Sequence, residues 1–223
     1  MLRDLSYEEM LEIAGAGSEV LALRAIECAA AHNIIVHIRC SFTLQTGTLV
    51  RKENLSMEQP RVSAIAYDAS SIKFTIANLP YHPTAIARIL RALAKRQVAV
   101  DLILQTATDN GCSDIALVTS GTEKEKTIDA VRSAAEEVGA AEVILNNDMT
   151  RLSVVGVGVR SDSMILTMML EGLASEGIEF DMLSISPMSI TCLVATERME
   201  TAVQRLCQVF KLDSPIQLLG CRR

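Results

Sequence analysis

Two stretches of the chain repeat one pattern of apolar and polar positions. Residues 72–103 recur as residues 152–183, so that Leu90 aligns with Leu170. Each copy begins with alternating apolar residues, typical of a strand, and continues with apolar residues at helical spacing. In the first copy the pattern then predicts strands over 98–104 and 114–118, a helix over 123–138 and a strand over 142–145. The order βαββαβ predicts a ferredoxin-like α+β unit, present in tandem.

One predicted strand belongs to neither copy. Residues 62–67 alternate like a strand before the first copy begins. The second copy, by contrast, lacks a convincing fourth strand after its last helix over 199–210, since residues 216–219 form only a weak candidate. If the early strand completes the second sheet, the first unit is inserted in the second. The predicted boundaries are a donated strand in 61–70, a first unit over 71–147 and a second unit over 148–223.

Residues 1–50 are predicted to form a piece of their own. Ser6 and Glu9 have the spacing of a capping box, which predicts a short helix through Ile13. The pattern that follows predicts a helix over 19–32, a buried strand over 34–38, and a turn and strand over 46–50. Such a small set of elements buries too little surface to fold alone, so we interpret it as the end of a larger domain. The polar residues 51–60 are the predicted linker.

The first helices of the two copies differ on their outer faces. In both, the pattern predicts one apolar core stripe, and in the first copy the opposite, solvated face is basic. The second copy places Met164, Ile165 and Met168 where the first has solvated positions, and a helix that is apolar all round is buried on more than one side. These three residues therefore predict an interface with a partner. The predicted core positions of the first helix are Ile86, Ile89, Leu90, Leu93 and Ala94, with Arg88, Arg91, Lys95 and Arg96 in solvent.

Composition and charge exclude several classes of function. The net charge of −6, without any long run of Lys or Arg, argues against nucleic-acid binding. The sequence shows neither a secretory leader nor a stretch apolar enough to span a membrane, which predicts a cytoplasmic protein. The six cysteines are widely spaced, which favours reduced and mostly buried thiols, and the three histidines predict no metal site.

No pattern of residues predicts a catalytic centre. Gly156 and Gly158 follow an apolar strand, as in a dinucleotide-binding loop, but Ser161 takes the place of the third glycine and too little chain follows for a doubly wound sheet. The aligned residues Asp101 and Asp181 are interpreted as polar anchors at strand starts. The chain therefore predicts binding rather than catalysis.

The loop before each first helix is the best candidate for a ligand site. A helix start offers free N–H groups and the positive end of a dipole, which suit a carboxylate, and polar side chains on the neighbouring strands suit an amino acid. An ordinary capped turn is the alternative interpretation. The predicted effector-binding residues are Tyr81, His82, Thr84, Ala85, Ile86, Gln105, Thr106 and Ser113.

Residues 153–161 have the sequence SVVGVGVRS, and with several other segments they resemble the carboxyl-terminal half of aspartate kinases, a lysine- and threonine-regulated family with paired ACT domains. Residues 153–161 are close to the family's S-V-V-G-x-G-M-R-S, and residues 37–42, 47–50, 62–67 and 100–105 resemble further family segments. The resemblance implies paired ACT units, the first inserted in the second, after residues 1–50 as the tail of the kinase α/β catalytic domain. It also implies a regulatory chain that responds to lysine or threonine and pairs as a homodimer or with a catalytic subunit. No cofactor is expected in this chain, because ATP and Mg²⁺ would bind the catalytic domain.

The departures from the family bear on the ligand loop. Tyr81-His82-Pro83-Thr84 stands where the family has D-x-P-G, Asp162-Ser163-Met164 where it has H-P-G, and Thr106 where it has Asn. A side chain in place of glycine adds bulk where a bound amino acid would touch backbone. Two alternatives to a sensor thus remain: a dimerisation subunit that binds no effector, or a fragment of a full-length aspartate kinase.

Overall fold

The computed structural model describes residues 4–17, 20–42, 46–52, 61–80, 82–108, 111–121, 124–140 and 142–212. Tyr81, most of the predicted linker and the weak strand candidate at 216–219 lie outside these ranges. The chain divides into two compact units, residues 1–69 with 150–223 and residues 70–149. We refer to them as the host unit and the inserted unit.

The amino-terminal part of the host unit contains a small sheet and two helices. Ser6 caps the first helix, with the Glu9 N–H donating to the Ser6 hydroxyl and the Glu9 carboxylate accepting from the Ser6 N–H, which confirms the predicted capping box. The sheet has the order β1-β3-β2. The elements are β1 (Asp4–Ser6), α1 (Tyr7–Gly15), α2 (Leu23–Ala31), β2 (Val36–Ile38), β3 (Thr48–Arg51) and β4 (Arg61–Asp68).

Two predictions for this part are wrong. The helix predicted over 19–32 begins only at Leu23, because Ala22 has an extended backbone and caps it. The strand predicted to be buried over 34–38 is short and lies at the edge of its sheet, with Ile34 and Ile35 more than half exposed. Ile34 and Ile35 precede β2, so they lie outside the sheet, whereas an apolar run is buried as a strand when both faces of its sheet are covered.

The inserted unit has the predicted βαββαβ order. Its four-stranded sheet has the order β6-β7-β5-β8, and the two helices pack on it around a core that includes Phe74, Ile89, Leu93 and Val131. The elements are β5 (Ser71–Pro80), α3 (Pro83–Lys95), β6 (Leu102–Ala107), β7 (Cys112–Ser120), α4 (Lys124–Glu137) and β8 (Glu142–Asn146).

The strand predicted over 98–104 in this unit begins later, at Leu102. The preceding residues leave the helix instead of forming a ladder. Gln97 has a left-handed backbone, and the Val98 N–H donates to the Leu93 carbonyl, a pairing that closes helix ends. The apolar residues at 98 and 100 therefore pack against the core from a loop.

The rest of the host unit is built on β4. This strand pairs antiparallel with β9 (Met149–Val157), from Arg61 opposite Val157 to Asp68 opposite Arg151, in a sheet of order β10-β11-β9-β4. The strand from before the insertion thus fills the fourth position of the second sheet, and the fold class predicted from the sequence is confirmed. The remaining elements are α5 (Ser163–Ser175), β10 (Phe180–Ile185), β11 (Ser189–Ala195) and α6 (Met199–Val209).

Both faces of β4 and β9 are covered. Ile65 and Val154 belong to the core shared with α5 and α6, whereas Ala64, Ala66 and Val155 belong to the core shared with α1 and α2. Because successive residues of a strand point to opposite faces, the two cores alternate along each strand. The amino-terminal helices are therefore an integral layer of the host unit.

On α3 and α5, the first helices of the two copies, the buried face is shifted by one residue relative to the predicted one. In α3 the buried residues are Ala85, Ile89 and Leu93, whereas Leu90 is 36% exposed and Ala94 is exposed. In α5, Ile165 aligns with Ala85 and is only 6% exposed. The prediction that Ile165 lies on an outer face is thus wrong, since this side chain belongs to the host core.

Candidate functional site

The candidate ligand site lies at one end of the inserted unit. Leu79 and Pro80, at the end of β5, pair with Ser113 and Cys112 at the start of β7, and Ala107 at the end of β6 also pairs with Ser113. The helix α3 begins three residues after β5 ends. The topology therefore gathers the ends of three strand segments and the start of one helix at this edge.

A bulge shapes the entry to the site. The register of β5 with β7 shifts between Ile76 and Leu79, and Asn78 within the bulge has a left-handed backbone. The Asn78 N–H donates to Asp114 Oδ1 at 2.9 Å. Asparagine tolerates this conformation better than most residues, and the carboxylate holds it in place. The bulge turns the chain toward the helix start.

The first turn of α3 is capped by a histidine. His82 Nδ1 accepts from the Thr84 N–H at 3.3 Å, and the Thr84 hydroxyl lies 2.7 Å from the same nitrogen. Both side chains are exposed. One of the helix's free N–H groups is thus already used: it belongs to Thr84, which stands at the glycine position of the family pattern, and His82 caps it.

The strand side of the site carries one polar pair. Gln105 Nε2 donates to Ser113 Oγ at 3.1 Å, with Ser113 only 1% exposed and Gln105 exposed. Thr106 lies next along β6 and is also exposed. This arrangement leaves the Gln105 amide carbonyl available to a ligand from solvent, whereas the Thr106 hydroxyl points to the opposite face of the sheet because successive side chains of a strand alternate.

The other predicted site residues have different surroundings. Ala85 and Ile86 pack in the core of the inserted unit, so they contribute shape rather than polar contacts. Tyr81 lies outside the described residues. Among the predicted interface residues of α5, Met164 is 59% exposed and Met168 is partly buried.

The equivalent loop of the host unit is closed by its own residues. Asp162 takes the place of His82 and accepts from the Met164 N–H at 2.9 Å. The Ser161 N–H donates to the Gly158 carbonyl in a tight turn, with Gly158 in a left-handed conformation. The helix start is thus capped by a carboxylate, which does not suit an anionic ligand group.

Sequence reasoning missed a hydrogen-bonded network in the host unit. The Glu12 carboxylate, on α1, accepts from the Ser189 hydroxyl at 3.1 Å and from the Ser186 hydroxyl at 3.3 Å, in the hairpin between β10 and β11. Ser186 Oγ in turn accepts from the Met188 and Ser189 N–H groups. Glu12 therefore joins the amino-terminal layer to this hairpin. No local pattern in the sequence marks these contacts, because they join residues more than 170 positions apart.

Two further polar contacts fix the same layer. Ser63 on β4 donates to the Glu9 carboxylate, which is only 4% exposed. Arg151 on β9 donates to the Gly15 carbonyl at 2.9 Å and lies 3.6 Å from the Asp68 carboxylate. These contacts connect the helix α1 region to the strands β4 and β9 of the host sheet.

The cysteines do not provide a nucleophile in the host core. Burial raises the pKa of the Cys192 thiol to about 12 and also raises the pKa of Cys207, so both stay protonated at neutral pH. The prediction of mostly buried thiols is wrong for Cys28 and Cys40, which are exposed.

Over the described ranges, no three His, Cys, Asp or Glu side chains group as metal ligands. No described helix is long and apolar enough to cross a membrane.

Comparisons with known proteins agree with this architecture. Residues 152–210 match the family model of the ACT domain. The chain is 35% identical over 215 residues to an aspartate kinase of Pseudomonas putida, which covers 96% of this chain and 52% of that protein. It is similar in structure to the ligand-free regulatory subunit of aspartate kinase from Thermus thermophilus, with a TM-score of 0.63 and 28% identity over 67% of this chain and 98% of that subunit.

A further solved structure shares the fold. It is E. coli aspartokinase III in complex with lysine and aspartate, with a TM-score of 0.71 and 21% identity over 93% of this chain and 46% of that one. The family model matches residues 152–210, and each unit contains a four-stranded sheet of ferredoxin-like order, which together define a protein with an ACT domain. Within that class the chain resembles the regulatory region of the aspartate kinases, and the resemblance noted from the sequence is confirmed. The chain spans about half the length of the curated relatives that it matches.

Proposed function

We propose that this chain is the amino-acid-sensing regulatory part of an aspartate kinase, the enzyme that phosphorylates L-aspartate with ATP at the start of lysine, threonine and methionine biosynthesis. Its likeness to a separate regulatory subunit supports this role. ATP and Mg²⁺ would bind the catalytic domain of the enzyme, which acts in the cytoplasm. The effector would be lysine, threonine or both.

The observation that carries the sensing proposal is the polar edge of the inserted unit. The exposed Gln105 amide, hydrogen-bonded to the buried Ser113, lies at the same end of the unit as the start of α3. Amide and hydroxyl groups suit the ammonium and carboxylate of an amino acid. Binding would regulate the enzyme by favouring the arrangement of units to which the effector binds more tightly.

Calorimetric titration of the folded chain with L-lysine, L-threonine and both together tests the sensing role. Saturable heat with either amino acid, but not with D-lysine or L-leucine, is the expected result. Gln105→Ala should weaken binding about tenfold or more through loss of one or two polar contacts. Gln204→Ala, an exposed glutamine on α6, is the matched control and should leave binding unchanged. No heat with any of these ligands from folded protein would refute the sensing role.

A second candidate function is dimerisation without an effector. It is favoured by the Thr84 hydroxyl beside His82 Nδ1, since this cap occupies the helix start. On this reading Thr84→Gly opens the first turn, and the variant should bind lysine or threonine where the wild type does not. Binding by the wild type excludes this candidate.

The partner of the chain is proposed to be a second copy or a catalytic aspartate kinase subunit. Exposed apolar side chains in the host unit support a partner surface: Met164 is 59% exposed, and Phe180 and Ile185 on the edge strand β10 are 43% and 45% exposed. Unpaired edge strands and apolar patches are common at interfaces. Sedimentation should show a weaker oligomer for Met164→Glu but not for Thr167→Glu, an exposed control on the same helix. Kinase-coding sequence in frame upstream of Met1 would identify a fragment rather than a subunit.

A further inference from the structure

A basic groove lies between the two helices of the inserted unit. It has a volume of about 330 Å³ and is lined by Arg88, Arg91, Ala92, Lys95, Arg96 and Glu137. Four of these six residues are cationic and one is acidic, in a chain whose net charge is −6. The sequence pattern alone predicts that these cations form an ordinary solvated face of α3. The structure places them together around one concave surface.

Two of the arginines are held in place by α4. Arg88 Nη2 donates to the Glu137 carbonyl at 2.7 Å, while Arg96 donates to the Ala130 carbonyl at 3.3 Å and to the Ser133 hydroxyl at 3.0 Å. These acceptors are neutral, so the positive charges are not cancelled. A guanidinium has five N–H donors, and most remain available to a ligand.

The other two cations have no partner among the residues that the structure describes. Neither Arg91 nor Lys95 forms a hydrogen bond or an ion pair with any residue in the described part of the chain. A groove with two fixed and two uncompensated cations attracts anions.

The second copy shows that the fold does not require these charges. The residues aligned with Arg88, Arg91, Lys95 and Arg96 are Met168, Glu171, Ser175 and Glu176. There, Arg205 on α6 donates to Ser175 Oγ at 3.0 Å and lies 3.9 Å from Glu176. The helices α5 and α6 of the host unit thus pair their charges with each other. Their acidic groups lie on or directly after the first helix, α5, whereas in the inserted unit Glu137 lies on the second helix, α4.

We propose that the groove of the inserted unit binds a small phosphate-bearing polyanion. Arginine presents a planar fork that matches phosphate oxygens, and the cluster offers charge enough for more than one phosphate group. The volume is that of a site for a small organic ligand. Since Glu137 lies at the Arg88 end, the phosphates bind toward Arg91, Lys95 and Arg96. This site goes beyond the proposed amino-acid site, which lies at the start of α3 rather than along its second half.

Titration calorimetry of the full chain with inorganic tripolyphosphate and with ATP tests the proposal. Saturable binding is expected at low salt, and affinity should fall steeply between about 50 and 300 mM salt because screening weakens exposed charge contacts. Arg91→Glu with Lys95→Ser introduces the residues of the second copy and should weaken binding about tenfold or more. Lys124→Ser with Arg132→Glu changes the net charge equally on exposed positions of α4 outside the groove, and should weaken it far less.

Each outcome decides the proposal. Binding of both phosphates, or of ATP with higher affinity, supports it and distinguishes a nucleotide from a free polyphosphate. If neither tripolyphosphate nor ATP gives saturable heat, the proposal is overturned. Equal weakening of binding in the two double variants also overturns it, because it would indicate a general charge effect. Binding of a polyglutamate peptide without binding of either phosphate also overturns it, in favour of an acidic protein partner. Circular dichroism checks that the variants are folded, and Arg91→Ala alone provides a milder substitution.

Discussion

Removal of the Glu9 carboxylate should weaken the attachment of the amino-terminal layer to the host sheet. Glu9 is 4% exposed and accepts from the Ser6 N–H at 2.9 Å, from the Ser6 hydroxyl at 3.1 Å and from the Ser63 hydroxyl on β4. In Glu9→Ala the Ser63 hydroxyl and the Ser6 N–H lose their acceptor while both remain buried. Each buried donor without an acceptor costs about 1–3 kcal/mol. We expect the free energy of unfolding to fall by about 3–4 kcal/mol.

Urea unfolding followed by circular dichroism measures this loss, with two companion variants. Glu9→Gln keeps one amide oxygen as acceptor and should cost about 1–2 kcal/mol, since the charge-assisted part of the hydrogen bonds is lost. Glu8→Ala removes the neighbouring, exposed carboxylate and should cost less than about 1 kcal/mol, the range of a helix-dipole contact. A Glu9→Ala loss within the range of Glu8→Ala would show that the layer is held by its apolar core alone.

Three further outcomes are expected. Burial raises the folded-state pKa of Cys192 from 9.0 to about 12, so the thiol favours the folded state below pH 9 and this contribution is lost as pH rises toward 12. Over that range Cys192→Ala should therefore lose about 4 kcal/mol less stability than the wild type, measured by urea unfolding at each pH. Parallel pH profiles of the two proteins would contradict this. Glu12→Gln should increase hydrogen exchange in the hairpin at Ser186 and Ser189 while leaving α3 unchanged, and unchanged exchange in the hairpin would refute the link. Gly121→Ala places a Cβ against the Ser70 carbonyl oxygen and should destabilise the inserted unit by about 1–3 kcal/mol. Gly139→Ala tests backbone strain alone, because this glycine has open space around it and a left-handed backbone.

Local patterns in the sequence predict the elements of this fold well. The capping box of Ser6 and Glu9 and the alternating residues 62–67 each depend on neighbours a few positions away, and each is found as predicted. Counting strands was enough to place β4 in the second sheet, because a ferredoxin-like sheet needs a fourth strand.

Features that depend on distant partners were not predictable in the same way. The phase of the α3 stripe is set by how the helix packs on the sheet, so that Leu90 rather than Ala85 is exposed. The bonds from Glu12 to Ser186 and Ser189 join residues far apart in the chain, and no local pattern marks them. Of the candidate site, the sequence named Gln105 and Ser113 as polar residues of the same site but not the hydrogen bond between them, and the histidine cap depends on one rotamer that no periodicity specifies.

The position of β4 has a consequence for the order in which the chain folds. Asp68 pairs with Arg151, and the whole inserted unit is synthesised between them, so the host sheet must wait until the insert has left the ribosome. Within the insert, Lys73 near its beginning pairs with Asn146 near its end. Once folded, the insert therefore holds its two ends side by side and reduces the entropy cost of bringing β4 to β9. We expect the insert to acquire protection first and the host sheet to close as the last cooperative step.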